Sequence, residues 1–320
     1  MKTKRGVMEF AWIFAIIVGA VILFLAFYFV GNKLLSQKYE QATIEAQNLD
    51  MLLNPFSQFG ELKALDTQPI ALSRKSTLEF SCQEPRQKLG NNDITINVGG
   101  QQGISRIVYD KYIFSEKTYE TKSLQGLSVP FEMPWRVANL IMIWPQDRKY
   151  CFIGAPQFIK DELSGESPTG LNISSIAFSQ SSDQCPENTN KTVCFSGNCD
   201  IKVTLQNGGS SDRGSTRKSG QTVYFTGNAL MYASIFSDSD IYNCNVKRLM
   251  ARLYSETLVY EEKSRAMTSR GCNMNINLVQ LKQLANTMST STLTETNINN
   301  LMLYAQQIKQ QNQGSNCELF

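Results

Sequence analysis

Residues 4–33 read KRGVMEFAWIFAIIVGAVILFLAFYFVGNK, and their reading decides how everything after them is arranged. The uninterrupted apolar run is Phe10–Val30, 21 residues, of which fourteen are Phe, Ile, Leu or Val. At about 1.5 Å per residue the run spans ~31 Å, the thickness of a hydrocarbon core. The fourteen side chains favour insertion by roughly 4–8 kcal/mol, and no charge interrupts them. A cleaved secretory signal has a shorter apolar centre followed by small residues. Here the run ends in the bulky AFYFV (26–30), so the helix stays with the chain. Lys2, Lys4 and Arg5 precede it, while Lys33, Lys38 and Glu40 follow. The positive-inside rule then places residues 1–9 in the cytoplasm, 10–30 across the bilayer, and the chain from residue 31 outside the cell membrane.

The remainder supports that compartment. All eight cysteines follow the span: Cys82, Cys151, Cys185, Cys194, Cys199, Cys244, Cys272 and Cys317. An even set in an oxidising compartment points to disulfides, with the pairing open. Cys194 and Cys199 are the best local pair, because CFSGNC places a Ser-Gly turn between them. A metal site on Cys185, Cys194 and Cys199 is disfavoured by the spacing and by the absence of histidine from the chain. Two sequons, Asn172-Ile-Ser and Asn190-Lys-Thr, are candidate glycosylation sites in a Ser- and Asn-rich surface stretch. Net charge is +3, too small to argue for nucleic acid.

The basic tail ending in Gly6, followed by Val7, Met8, Glu9 and the apolar run, resembles the class III signal peptide of archaeal type IV pilin-like proteins. The resemblance covers residues 2–30 only. It implies cleavage after Gly6, a mature chain beginning at Val7, and a filament core built from the apolar helix. Glu9 would be the pilin-like acidic residue, at the third mature position where the family has its glutamate at the fifth. The other reading of the same residues is a plain signal anchor with Glu9 at the interface, where a charge is cheap.

Behind the span, Leu35, Tyr39, Ala42, Ala46, Leu49 and Leu53 recur with alternating gaps of four and three. That pattern predicts an amphipathic stalk helix over 31–55, kinked at Gly31-Asn32 and ended by Asn54-Pro55. Its seam packs on its own domain or on another copy. Residues 60–226 carry short β-like runs such as DITINV (93–98), SRIVYDKYIF (105–114) and QTVYFTG (221–227), punctuated by Gly, Pro and Asn. WRVANLIMIW (135–144) is apolar almost throughout, a buried strand or a short core helix. NGGSSDRGSTRKSG (207–220) reads as a long hairpin loop and matches no phosphate-loop order. Residues 227–320 turn helical. A capping box at Ser237 and Asp240 starts a helix facing inward with Tyr242, Val246, Leu249, Leu253 and Tyr260. A second helix covers 276–288, and Thr292 with Glu295 caps a third carrying Ile298, Leu301 and Ile308.

No active site is legible. Without histidine the common general base and the Ser-His-Asp arrangement are missing. Asp110, Glu116, Glu120, Asp161 and Glu162 have no spacing that sets two across a substrate, while Glu132 and Asp147 lie beside aromatic-rich segments that could line a pocket. Trp135, Trp144, Phe131 and Tyr150 read as core anchors. The expectation is an α+β, disulfide-stabilised extracytoplasmic protein: a transmembrane helix, a stalk helix, a β-rich region and a helical C-terminal region packed on it. Its role is structural or recognition-based at the cell envelope, with no catalytic residues, cofactor or metal. Its partners are the lipid bilayer and, through residues 10–53, copies of itself or other envelope or pilin-like proteins. A minor pilin-like subunit is the first alternative. A membrane-tethered hydrolase is the second, and would need a cleft with two carboxylates roughly 5–10 Å apart.

Overall fold

The structure, a computed structural model, describes residues 5–54, 63–64, 69–86, 89–164, 171–206, 213–273 and 275–320. Pro55 and residues 207–212, named above, lie outside these, as do Lys2 and Lys4. One helix, α1 (Arg5–Leu52), runs for 48 residues, about 72 Å. It passes through Gly31 and Asn32 without a break, one helix where the sequence suggested two joined there. Neither residue is proline, and glycine costs a helix only about 1 kcal/mol.

Eight strands form the first sheet: β1 (Lys63–Ala64), β2 (Ile70–Gln83), β3 (Asn91–Val98), β4 (Gln101–Gln102), β5 (Arg106–Val108), β6 (Tyr112–Phe114), β7 (Thr118–Glu132) and β8 (Arg136–Pro145). The order is β4-β3-β2-β7-β8-β6, with β1 on β7 and β5 on β3. The pairs are antiparallel except β6 with β8. The second sheet has six strands: β9 (Tyr150–Ile153), β10 (Ile176–Ser179), β11 (Lys191–Cys194), β12 (Ile201–Leu205), β13 (Gly214–Lys218) and β14 (Gln221–Phe225). Its order is β10-β9-β11-β12-β13-β14, parallel as far as β12 and antiparallel beyond. The short α2 (Gln157–Leu163) lies between β9 and β10, and α3 (Gly227–Phe236), α4 (Ser239–Thr268), α5 (Val279–Thr290) and α6 (Glu295–Gln313) follow the last strand.

Strand alternation sorts the first sheet's side chains into two cores. Along β8, Leu140, Met142 and Trp144 enter one core, while Ile141 and Ile143 enter the other. This strand is covered on both faces, which is why residues 135–144 read as a continuous apolar run. The larger core joins the first sheet to the second and to α3–α6, with Trp144 stacked on Phe236 at 4.4 Å. The smaller core is closed by Ala42, Ala46 and Leu49 of α1 and by Leu53 just past its end, which share it with Leu78, Ile94 and Ile96. The six-residue seam therefore divides. Its last four positions are buried on the protein's own sheet, while Leu35 and Tyr39 remain exposed.

Several local expectations change. SRIVYDKYIF is not one strand but β5 and β6, separated at Tyr109–Lys111. The fully buried Arg248 on α4 donates to the carbonyls of Tyr109 (2.9 Å) and Lys111 (3.1 Å), taking up backbone groups that a continuous strand would pair. Residues 214–218 of the expected loop form β13, paired on both sides. Ser237 does not cap α4. Its hydroxyl donates back to Ala233 O in α3, and Asp238 holds the N-cap position while accepting from Lys117 N at 2.8 Å. Thr294, rather than Thr292, caps α6 by accepting from Asn297 N at 3.3 Å.

Four disulfides pair all the cysteines: Cys82–Cys244, Cys151–Cys185, Cys194–Cys199 and Cys272–Cys317. The first ties β2 to α4, and the last ties the end of α4 to the end of α6.

Candidate functional site

Two features stand out from the fold: the bare half of α1 and a cleft on the far side of the first sheet. From Trp12 to Val30 every residue is exposed except the half-buried Gly19. Fifteen large apolar side chains lie in that stretch, including Trp12, Phe14, Phe24 and Phe27. At roughly 1.5 kcal/mol or more each, covering them is worth upwards of about 20 kcal/mol. That is as large as the ~5–15 kcal/mol net stability of an ordinary domain, a strong drive to cover this face. This helix is long and apolar enough to cross a membrane. Gly6, Val7 and Glu9 are helical residues at its start.

The other half of α1 is fastened to the domain by polar contacts around its apolar face. Buried Asp50 accepts from Lys111 Nζ at 2.7 Å and from Arg106 Nε at 2.9 Å. Burial alone would raise the Asp50 carboxyl, but these two cations outweigh it and hold it below its ordinary range. Glu45 accepts from Ser73 N (3.0 Å), from the Ser73 hydroxyl and from the Ser76 hydroxyl. Lys38 Nζ donates to Gly99 O at 3.2 Å, and Ile104 N donates to Thr43 Oγ1 at 3.1 Å. Gly103 allows that approach, since a Cβ there would sit 2.8 Å from the Ala42 carbonyl carbon. None of these contacts was visible in the sequence, because each joins residues 28 to 61 positions apart.

No family model, curated protein or solved structure matches this chain. What the protein does is therefore argued from its own residues.

Most of the carboxylates named from the sequence are spent elsewhere. Glu116 pairs with Arg148 at 2.6 Å, Glu120 with Lys75 at 2.9 Å, and Asp110 stands 3.5 Å from Lys111. Asp161 accepts from Gln157 at 2.8 Å, and Asp147 is exposed. Glu132 and Glu162 are brought together, lining one cavity of about 520 Å³ between the end of β7, α2, the start of α3, and α6. Glu162 accepts from Asn228 Nδ2 at 2.7 Å and from the buried Tyr232 hydroxyl. Burial pushes its carboxyl up, more than these hydrogen bonds pull it down. Lys309 and Met302 of α6 and Met133 complete the wall. Trp135, Trp144, Phe131 and Tyr150 are core residues, as expected.

Cys185, Cys194 and Cys199 sit in two disulfides, not around a metal, and among the described residues no group of three or more Cys, Asp or Glu side chains is placed to hold one. Both sequon asparagines are exposed. Asn172 takes a left-handed backbone conformation (φ 48°), and Asn190 Oδ1 accepts from Lys149 N at 2.7 Å.

Proposed function

We propose that this chain is a single-pass membrane protein, N-terminus inside, whose disulfide-bonded α+β domain serves a structural or recognition role outside the cell membrane. One observation carries the reading: a single unbroken helix is bare and apolar over its first half and built into the domain core over its second. A signal destined for removal needs no such continuity with the fold. Four disulfides agree with an oxidising compartment. Eleven residues of exposed or half-buried helix separate Val30 from Ala42, a rise of ~18 Å that serves as a short stalk, touched by the domain from Lys38 on. Carbonate extraction and detergent partitioning of native membranes test this. The chain stays with the lipid fraction on this account, and release by carbonate contradicts it.

The unbroken join also favours a second reading, a minor pilin-like subunit whose apolar helix packs with neighbouring copies after cleavage behind Gly6. Mass mapping of the mature N-terminus separates the two. A chain beginning at Val7 supports the subunit, and retention of Lys2–Gly6 supports the anchor.

A further inference from the structure

The cleft at Glu162 holds a carboxylate that is partly withdrawn from water and, among the described residues, has no cation paired with it. Asp50, Glu116 and Glu261 each face Lys or Arg at 2.6–2.9 Å. Among the described residues Glu162 has the neutral side-chain donors of Asn228 and Tyr232. A carboxylate offers about four acceptor positions, so two hydrogen bonds leave capacity on a residue that lines the cavity. Glu132 is exposed on the same wall, and among the described residues Lys309 is the one cation there. Among the described residues no ion pair joins Lys309 to either glutamate. Met133, Pro134, Met302 and Ala305 give part of the wall an apolar face suited to a hydrocarbon stem, while Thr226, Asn228 and Gln306 add neutral polar groups. At ~30 Å³ per water, the cavity is about 17 waters in size, ample for such a molecule.

We propose that this cleft binds an organic cation, a primary ammonium or guanidinium on a short aliphatic chain, with its charged head on Glu162 and Glu132 and its stem along Met133 and Met302. A hard metal ion is a poorer fit, because calcium takes about six to eight oxygen ligands and among the described residues no three carboxylates are grouped to hold one. The cation is either a free amine or the Lys or Arg side chain of a partner protein. The inference stands on the cleft and is independent of how the chain sits in a membrane.

The test is calorimetric titration of the full chain in detergent micelles with butylammonium and propylguanidinium, then with a blocked Gly-Lys-Gly peptide. Saturable binding of either kind supports the proposal. Small cations alone point to a free amine, and peptide binding at least as tight points to a partner side chain. Glu162→Gln weakens binding at least tenfold, and Lys309→Met, which removes a like charge, tightens it several-fold. The wild-type protein supplies a second readout. The Glu162 carboxyl, bonded to Tyr232 and Asn228, next to Asp161, and sharing its cavity with Glu132 and Lys309, titrates at lower pH when butylammonium is present, followed by carbon NMR with labelled glutamate. No saturation below about 10 mM, unchanged binding in Glu162→Gln, or an unmoved carboxyl titration each overturns the proposal.

Discussion

Asp50→Asn tests how α1 is held to the domain. The Lys111 side chain is 3% exposed and the Asp50 side chain 10%, at 2.7 Å, so this pair lies inside the protein. The Arg106 side chain is half exposed, and its 2.9 Å contact adds about 0–1 kcal/mol. Removing the charge of Asp50 leaves the Lys111 ammonium buried without its partner, which costs about 3–5 kcal/mol. Asp110, 3.5 Å away and 71% exposed, recovers part of that, so the lower end applies: ~3 kcal/mol, or about two decades in the unfolding constant. The assay is urea unfolding of the full chain in micelles, read by the buried Trp135 and Trp144, with hydrogen exchange over residues 42–53. The double variant Asp50→Asn, Lys111→Met replaces the pair by a neutral contact and regains most of the loss. A single variant within about 1 kcal/mol of wild type, or a double no better than the single, refutes this reasoning. The pH dependence has a definite sign. The Asp50 carboxyl is depressed in the folded protein, so its contribution is complete above its unfolded value of 3.8 and is lost as pH falls below that.

Other outcomes follow from the same structure. Gly103→Ala drives a methyl into the α1 backbone at Ala42 and Thr43 and costs about 1–3 kcal/mol, seen as a lower Tm with faster exchange at 42–49. Paired Cys→Ser variants rank by loop length. Loss of Cys82–Cys244, separated by 162 residues, costs ~5 kcal/mol in the chain-entropy picture, Cys272–Cys317 (45 residues) ~4, and Cys194–Cys199 (5 residues) ~2, measured as urea midpoints. Burial lowers the Lys218 amine, whose Nζ donates to Ser234 O at 2.7 Å, to about 8 against 10.5 unfolded. The native state then binds fewer protons than the unfolded chain between pH 8 and 10.5, and stability rises with pH across that window. Above about pH 10 the buried Tyr119, Tyr150 and Tyr242 stay neutral while their unfolded counterparts ionise, so stability turns down. Thermal melts across this range show the rise, and Lys218→Met removes it.

The long apolar helix over residues 10–30 was legible because composition alone decides it, with no partner needed to declare it. The inward faces of α4 and α6 were legible for a related reason, since each is buried along one stripe and keeps the helical period. Elements covered on all sides were not. In α3, Ala229 to Phe236 are all buried, so no polar face marks it off as a separate helix within the region read as helical. The fifteen-residue β7 was hidden by Lys122, Gly126 and Pro130, which suit a turn locally but are overridden by pairing with β2 and β8. The cleft was illegible in principle. Glu132 ends β7, Glu162 lies in α2 and Lys309 in α6, and only the packing of those elements brings them to one wall.

Lysine labelling of intact cells with a membrane-impermeant reagent, mapped by mass spectrometry, tests the central claim most directly. The account predicts modification of the exposed Lys33, Lys75 and Lys309, with Lys2 and Lys4 either unmodified until the membrane is opened or absent from the mature chain. Labelled Lys2 and Lys4 on sealed cells, or a domain protected until lysis, would contradict it.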